Sequence, residues 1–173
     1  MARAIVFDRD GVVNEAVMRN GTSTPPRTLS EFAFVQGFEQ LYDHAIQKGY
    51  RLFIATNQPD IHRGLTSRGL VNAIHQRIIS IFPKIEEVVM CDHDNLHNCV
   101  CRKPKPGMLF YLKGKYDLQM SESFFVGDRD SDVQCGQLAG CSTVLVDHGY
   151  PKAKMNALPT YRVSKLSEIT NLI

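Results

Sequence analysis

Short apolar runs closed by polar residues recur along the chain at residues 4–7, 52–55, 88–90, 124–126 and 143–146. Each has the length and composition of a strand buried on both faces. Longer stretches with a 3.6-residue apolar period lie between them. Phe38, Leu41, Tyr42, Ala45 and Ile46 form one stripe that stops at Gly49; Leu70, Ala73, Ile74, Ile78, Ile81 and Phe82 form another that stops at Pro83. A third helix is expected from near Pro106 to about Tyr116, and a fourth over 132–139 ahead of Gly140. Strands alternating with helices predict an α/β fold of three layers, a central parallel sheet with helices on both faces. There is no internal repeat or linker. Residues 18–31, with Gly21, Pro25 and Pro26 among Ser and Thr, read as one long loop too small to be a domain. The expected organisation is therefore a single domain over residues 1–173.

Composition narrows the class. A chain of 173 residues buries roughly two-thirds of its unfolded surface around one core. With 43% apolar and 22% charged residues it has the balance of an ordinary globular protein. A net charge of +2 is too small to point to nucleic acid or an acidic membrane. No apolar run reaches the length of a membrane span, and the N-terminus carries Arg3, Asp8, Arg9 and Asp10 where a signal peptide is apolar. The expectation is a soluble, cytoplasmic monomer with no nucleic-acid or membrane partner. In a reducing compartment its five cysteines read as thiols or metal ligands.

Ligands of parallel α/β sheets bind beyond the carboxyl ends of the strands. Asp8 and Asp10 follow the first expected strand, Thr56 and Asn57 the second, a cysteine cluster and "CRKPKPG" the third, and "GDRDSD" the fourth. Carboxylates, a hydroxyl and cations on one rim suit phosphoryl transfer to or from a small phosphorylated substrate. Asp8 and Asp128 are candidate ligands of Mg²⁺, a hard ion that takes oxygen donors. With the ion and Lys103 offsetting phosphate charge, a carboxylate can reach phosphorus as a nucleophile. Alone, Asp-x-Asp-Gly is also a surface turn; its place after a buried strand, with three companion motifs, weighs against that. "DRDSD" is not a calcium loop, because Val133 and Ala139 stand where that loop needs Gly and Glu. "GMLFYLKGK" is not a nucleotide P-loop: six residues separate its glycines where four are needed, and Tyr116 replaces Ser or Thr.

Cys91, His93, Cys99 and Cys101 place three thiolates and an imidazole within eleven residues, a donor set for tetrahedral Zn²⁺. Four protein ligands leave no open position, so such a zinc is structural, fixing the loop that carries Arg102 and Lys103. His97 competes with His93 for the fourth place. The zinc-deaminase pattern is absent, lacking both a Glu two residues after a ligand His and a Cys-x-x-Cys pair. Cys135 and Cys141 read as small apolar packers.

The ordered set "DRDG", "ATNQ", "CRKPKP" and "VGDRDSD" resembles the signatures of the haloacid dehalogenase (HAD) superfamily of aspartate-nucleophile phosphatases. The resemblance implies a capless Rossmann-like fold with a zinc-binding loop. It further implies Asp8 as nucleophile, Asp10 as acid and base, Thr56 and the Asn57 backbone as phosphoryl ligands, and Lys103 as the neutralising cation. Asp8, Asp10 and Asp128 would form the Mg²⁺ site. Val12 departs from the threonine found in many relatives.

Cys-x-His followed by Cys-x-Cys before Arg-Lys-Pro is similar to the branch of heptose bisphosphate and histidinol-phosphate phosphatases. Asn14 and Arg63-Gly64 favour the heptose enzymes and a precursor of bacterial surface polysaccharide. The five residues between His93 and Cys99 favour the histidinol enzymes, and Pro59-Asp60 departs from the expected Ser-Gly. Arg63 and Arg102 are candidate ligands of a second phosphate, since Arg offers a planar fork to such oxygens. Arg27 and His62 read as solvated. A polynucleotide 3′-phosphatase would share the core chemistry but should show a basic, aromatic-lined groove. A zinc-binding module without catalysis would not need Asp8, Asp10, Thr56, Lys103 and Asp128 together.

Overall fold

Successive residues of β1 (Ala4–Phe7) face opposite layers of the computed structural model, which describes residues 1–149 and 155–173. Ile5 and Phe7 enter one apolar cluster and Ala4 and Val6 the other, so all four are buried. That is why the strand is a continuous apolar run and does not alternate. The chain adds β2 (Val17–Arg19), β3 (Thr22–Thr24), α1 (Phe38–Gln47), β4 (Arg51–Asn57), α2 (Arg68–Ile81) and β5 (Ile85–Cys91). Then come α3 (Gly107–Tyr116), β6 (Phe124–Gly127), α4 (Asp130–Ala139), β7 (Ser142–Val146) and β8 (Tyr161–Val163).

The six-stranded sheet has the order β5-β4-β1-β6-β7-β8, parallel throughout. Counted along the sheet strands alone this is 3-2-1-4-5-6, the doubly wound order whose direction reverses beside β1. Phe38, Leu41, Ile74 and Ile78 bring α1 and α2 onto one face; Leu109, Leu112, Cys135 and Ala139 bring α3 and α4 onto the other. Cys135 and Cys141 are buried in this second layer, as packers should be.

The structure differs from the sequence pattern, or adds to it, at three places. The long loop over 18–31 contains the antiparallel hairpin β2–β3, whose Thr and Ser residues carry no apolar alternation because neither strand is fully buried. The tail contributes β8 and a short 3₁₀ turn, Leu166–Asn171, whose Leu166 and Ile169 pack into the α1 layer. β8 escapes a pattern search because only Val163 of its three residues is buried. Finally, α4 begins at Asp130, since the Asp132 carboxylate accepts the Arg129 N–H at 3.0 Å and caps the first turn two residues earlier than the apolar spacing suggests.

Candidate active site

At the switch point β1 lies between β4 and β6, so their carboxyl ends deliver Asp8, Thr56 and Asp128 to one rim. Asp8, Asp10, Thr56, Lys103, Asp128 and Asp132 are all buried. Lys103 reaches in from the loop after β5. Its Nζ lies 2.7 Å from Asp8 Oδ1 and 2.6 Å from Asp132 Oδ1, and it donates to the Ala55 carbonyl at 3.0 Å. Burial opposes its charge, but Asp132 and Asp8 more than compensate and raise its pKa.

Carboxylates outnumber that ammonium. One oxygen each from Asp8, Asp128 and Asp132 falls within 4.8 Å of the others. Burial, reinforced by Asp132 and Asp10 against Lys103, pushes Asp8 up to about 6. Burial together with Asp8 and Asp132 pushes Asp128 up to about 8. Asp128 Oδ1 is buried without a hydrogen-bond partner among the described residues. A dense set of hard oxygen donors with a deficit of positive charge fits a divalent cation of the Mg²⁺ class. Gly11 is what lets the set close. Its φ is +90°, and a Cβ there would stand 2.4 Å from Asp128 Oδ2.

Asp10 belongs to a separate network. Arg9, fully buried, donates to Asp10 from Nε at 3.2 Å and from Nη2 at 2.9 and 3.1 Å. Asn14 Nδ2 donates at 3.0 Å and Gln58 Nε2 at 2.6 Å. Burial alone would raise the Asp10 pKa; the Arg9 charge and these hydrogen bonds outweigh it and hold the carboxyl below the usual range. Arg9 Nη1 also lies 3.1 Å from His75 Nε2, and burial next to that guanidinium lowers the imidazole to about 3, so His75 is neutral. Neither Arg9 nor Gln58 was singled out from sequence as a site residue, although both stand inside the signatures "DRDG" and "ATNQ".

Thr56 and Asn57 divide their work. Gln58 Nε2 donates to Thr56 Oγ1 at 2.8 Å, which leaves the Thr56 O–H as a donor toward the rim. The Asn57 side chain instead clamps the backbone of Lys103, donating to its carbonyl at 3.1 Å and accepting its N–H at 3.1 Å.

A cleft of about 410 Å³ opens above these groups, lined among others by Asp8, Asn57, Arg63, Arg102, Lys103 and Arg129. Arg102 is pinned by Asn95 Oδ1 at 2.9 Å and the His93 carbonyl at 3.0 Å. Arg63 lies 3.6 Å from buried Asp60. Arg27, expected to be solvated, donates to that same Asp60 at 2.9 Å and so joins the strap after β3 to the turn after β4. Arg129 is a further cation that sequence reasoning passed over; it donates to the Ser23 carbonyl at 2.7 Å, bringing the hairpin over the cleft. A larger cavity of about 520 Å³, lined by Glu15, Gly37, His148 and Lys165, contains none of the signature residues.

Cys91, His93, Cys99 and Cys101 converge, with His93 Nδ1 3.5 Å from Cys91 Sγ and 3.4 Å from Cys101 Sγ. His97 lies outside this group, paired to Asp94 Oδ1 at 2.9 Å. Burial opposes ionisation of Cys99, but the Arg102 N–H and the neighbouring thiols lower it to about 7. Three sulfurs and one imidazole nitrogen fit a tetrahedral zinc.

A HAD-hydrolase-like family model matches residues 100–169. The chain is 34% identical over 151 residues to the D-glycero-alpha-D-manno-heptose-1,7-bisphosphate 7-phosphatase of Campylobacter jejuni, covering 83% of this chain and 81% of that one. It is 31% identical to the D-glycero-beta-D-manno-heptose-1,7-bisphosphate 7-phosphatase of Bordetella bronchiseptica, covering 85% and 82%. The crystal structure of the D,D-heptose 1,7-bisphosphate phosphatase from B. bronchiseptica, complexed with magnesium and phosphate, matches with a TM-score of 0.84 at 29% identity over 98% of this chain and 97% of that one. Fold and site together define a hydrolase of the HAD-like class. Within that class the chain belongs to the family of the heptose bisphosphate 7-phosphatases, enzymes of phosphate-ester hydrolysis.

Proposed function

We propose that this chain, acting as a single-domain cytoplasmic monomer, removes the 7-phosphate of D-glycero-D-manno-heptose 1,7-bisphosphate with Mg²⁺ in the carboxylate cluster and structural Zn²⁺ in the Cys91, His93, Cys99 and Cys101 group. The observation that carries the reading is Asp8, buried against Lys103 on the floor of a cleft lined by Arg63, Arg102 and Arg129. When bound, Mg²⁺ supplies positive charge to the phosphoryl oxygens. Asp8 and Asp128 would hold it. Asp10, the third expected ligand, has its carboxylate occupied by Arg9, Asn14 and Gln58.

Asp8 attacks phosphorus and the sugar oxygen leaves, giving an aspartyl-phosphate on Asp8. Asp10 gives that oxygen a proton. It then accepts one from the water that cleaves the aspartyl-phosphate. The hydrogen bonds that hold Asp10 ionised suit the second task, and a negative phosphoryl group beside it raises its proton affinity for the first. Lys103 and the Thr56 hydroxyl bind phosphoryl oxygens, while Asn57 holds Lys103 in place. Arg63 and Arg102 bind the phosphate that is not attacked.

A second reading, histidinol phosphate as substrate, is favoured only by the five-residue stretch between His93 and Cys99. Comparison of kcat/KM for heptose 1,7-bisphosphate, heptose 1-phosphate and histidinol phosphate separates the two. The bisphosphate should be preferred, because binding energy at a remote phosphate orients the reacting one. Arg63→Ala should shrink that preference more than it slows an aryl phosphate. Best turnover of histidinol phosphate would reject the heptose assignment.

A further inference from the structure

The turn after β4 and the loop after β5 meet at three side chains that belong neither to the carboxylate cluster nor to the Cys-rich group. The rings of His62 and His97 stand with centroids 4.2 Å apart, nearly perpendicular. His97 Nδ1 and Asp94 Oδ1 are 2.9 Å apart. One donor atom from each of His62, Asp94 and His97 lies within 4.8 Å of the others. We propose that these three residues form a second, exchangeable zinc site that latches the turn to the loop.

Two imidazoles and a carboxylate are a zinc donor set, and three protein ligands leave the fourth position to water. Zn–N and Zn–O bonds of about 2.0–2.2 Å put tetrahedral ligand atoms roughly 3.3–3.5 Å apart. The Asp94 and His97 pair is already near that spacing. His62 closes the set by rotating about its side-chain bonds, which its exposed position allows. Asp94 is prepositioned, because its Oδ1 also accepts the Leu96 N–H at 2.9 Å and caps a 3₁₀ turn over Asn95–His97. Zinc takes the place of the proton between His97 Nδ1 and Asp94 Oδ1, and the neutral imidazole keeps that proton on Nε2. His93, not His97, is the imidazole beside the thiols, so both sites can fill at once.

His62 precedes Arg63, and Asp94 precedes Asn95, which holds Arg102. An ion in this site therefore fixes the spacing of the two segments that bring these arginines to the cleft.

Bound zinc should be counted after equilibrium dialysis of wild type, His62→Ala and His97→Ala against the same micromolar free Zn²⁺. Each variant is expected to hold one equivalent fewer than wild type, whatever the Cys-rich group retains. In Co²⁺-substituted protein, the equivalent that is lost should lack thiolate-to-cobalt charge-transfer absorption. Wild-type stoichiometry in His62→Ala overturns the proposal. So does loss of the thiolate absorption in His97→Ala, which would place His97 in the Cys-rich group.

Discussion

Lys103 Nζ lies 2.7 Å from Asp8 Oδ1 with both groups buried, so the proposed nucleophile is oriented by a cation that has travelled 95 residues along the sequence to meet it. The same ammonium contacts Asp132 and the Ala55 carbonyl, which fixes its direction as well as its charge. Asn57 holds the Lys103 backbone from the end of β4. Two strand ends, the first turn of α4 and one loop thus set the position of a single carboxylate.

Replacing that cation should be severe. Lys103→Met removes a buried donor aimed at the reacting centre, and loss of such a donor lowers kcat by about 10²–10³. Lys103→Arg should not restore the rate, because a planar fork cannot meet two carboxylates and a carbonyl from one point. Steady-state assay of an aryl phosphate checks both variants. A fully active arginine variant would contradict the geometry.

The carboxylate cluster predicts how metal and pH interact. Asp8 at about 6 and Asp128 at about 8 are raised above the ordinary carboxylate value near 4. From about pH 4 to pH 8 these two carboxylates therefore hold more protons in the metal-free folded protein than in the unfolded chain, and their contribution to stability falls as pH rises through that window. Mg²⁺ competes with those protons. The increase in Tm on adding Mg²⁺ should be larger at pH 8 than at pH 5.5, as thermal denaturation with and without the ion will show. Equal increments at the two pH values would be inconsistent with metal in this cluster.

Gly11 and Gly49 make a matched test. Both have positive φ, but a Cβ on Gly11 meets the Asp128 carboxylate while one on Gly49 meets nothing within 4 Å among the described residues. Gly49→Ala should cost about 1–2 kcal/mol of stability from the backbone alone and leave turnover unchanged. Gly11→Ala should cost more and also weaken Mg²⁺ binding, measured by activation of the aryl phosphatase reaction. Unchanged Mg²⁺ activation in Gly11→Ala would mean that Asp128 is not held where the cluster needs it.

The central strands and the polar residues at their ends were legible in the sequence because β1, β4, β6 and β7 are buried on both sides and so carry unbroken apolar runs. The edges were less so. β5 is only partly buried through its middle and carries Glu86 and Glu87, which shortens its apolar run to Val88, Val89 and Met90. Arg9 shows another limit: a charged residue within a motif reads as exposed until Asp10 and His75 are seen on either side of its guanidinium. Arg27 and Arg129 were illegible for a related reason, since their partners Asp60 and Ser23 lie 33 and 106 residues away.

The Cys-rich group should be structural in its effect. Cys99→Ala removes one of four donors, and metal-binding free energy in such sites contributes directly to ordering the chain. Zinc content should fall and Tm with it, and turnover should decline because Arg102 is pinned to the His93 carbonyl. Elemental analysis and a melting curve on the same preparation check this. Protein purified without chelators that carries no zinc would rule the site out.

The most direct test follows the two phosphates of heptose 1,7-bisphosphate by ³¹P NMR during incubation with Mg²⁺ and either the wild-type protein or Asp8→Asn. The account predicts loss of the 7-phosphate signal, release of one equivalent of inorganic phosphate and persistence of the 1-phosphate with wild type, and no change with Asp8→Asn. Release of phosphate by Asp8→Asn at the wild-type rate, or loss of the 1-phosphate in place of the 7-phosphate, would contradict it.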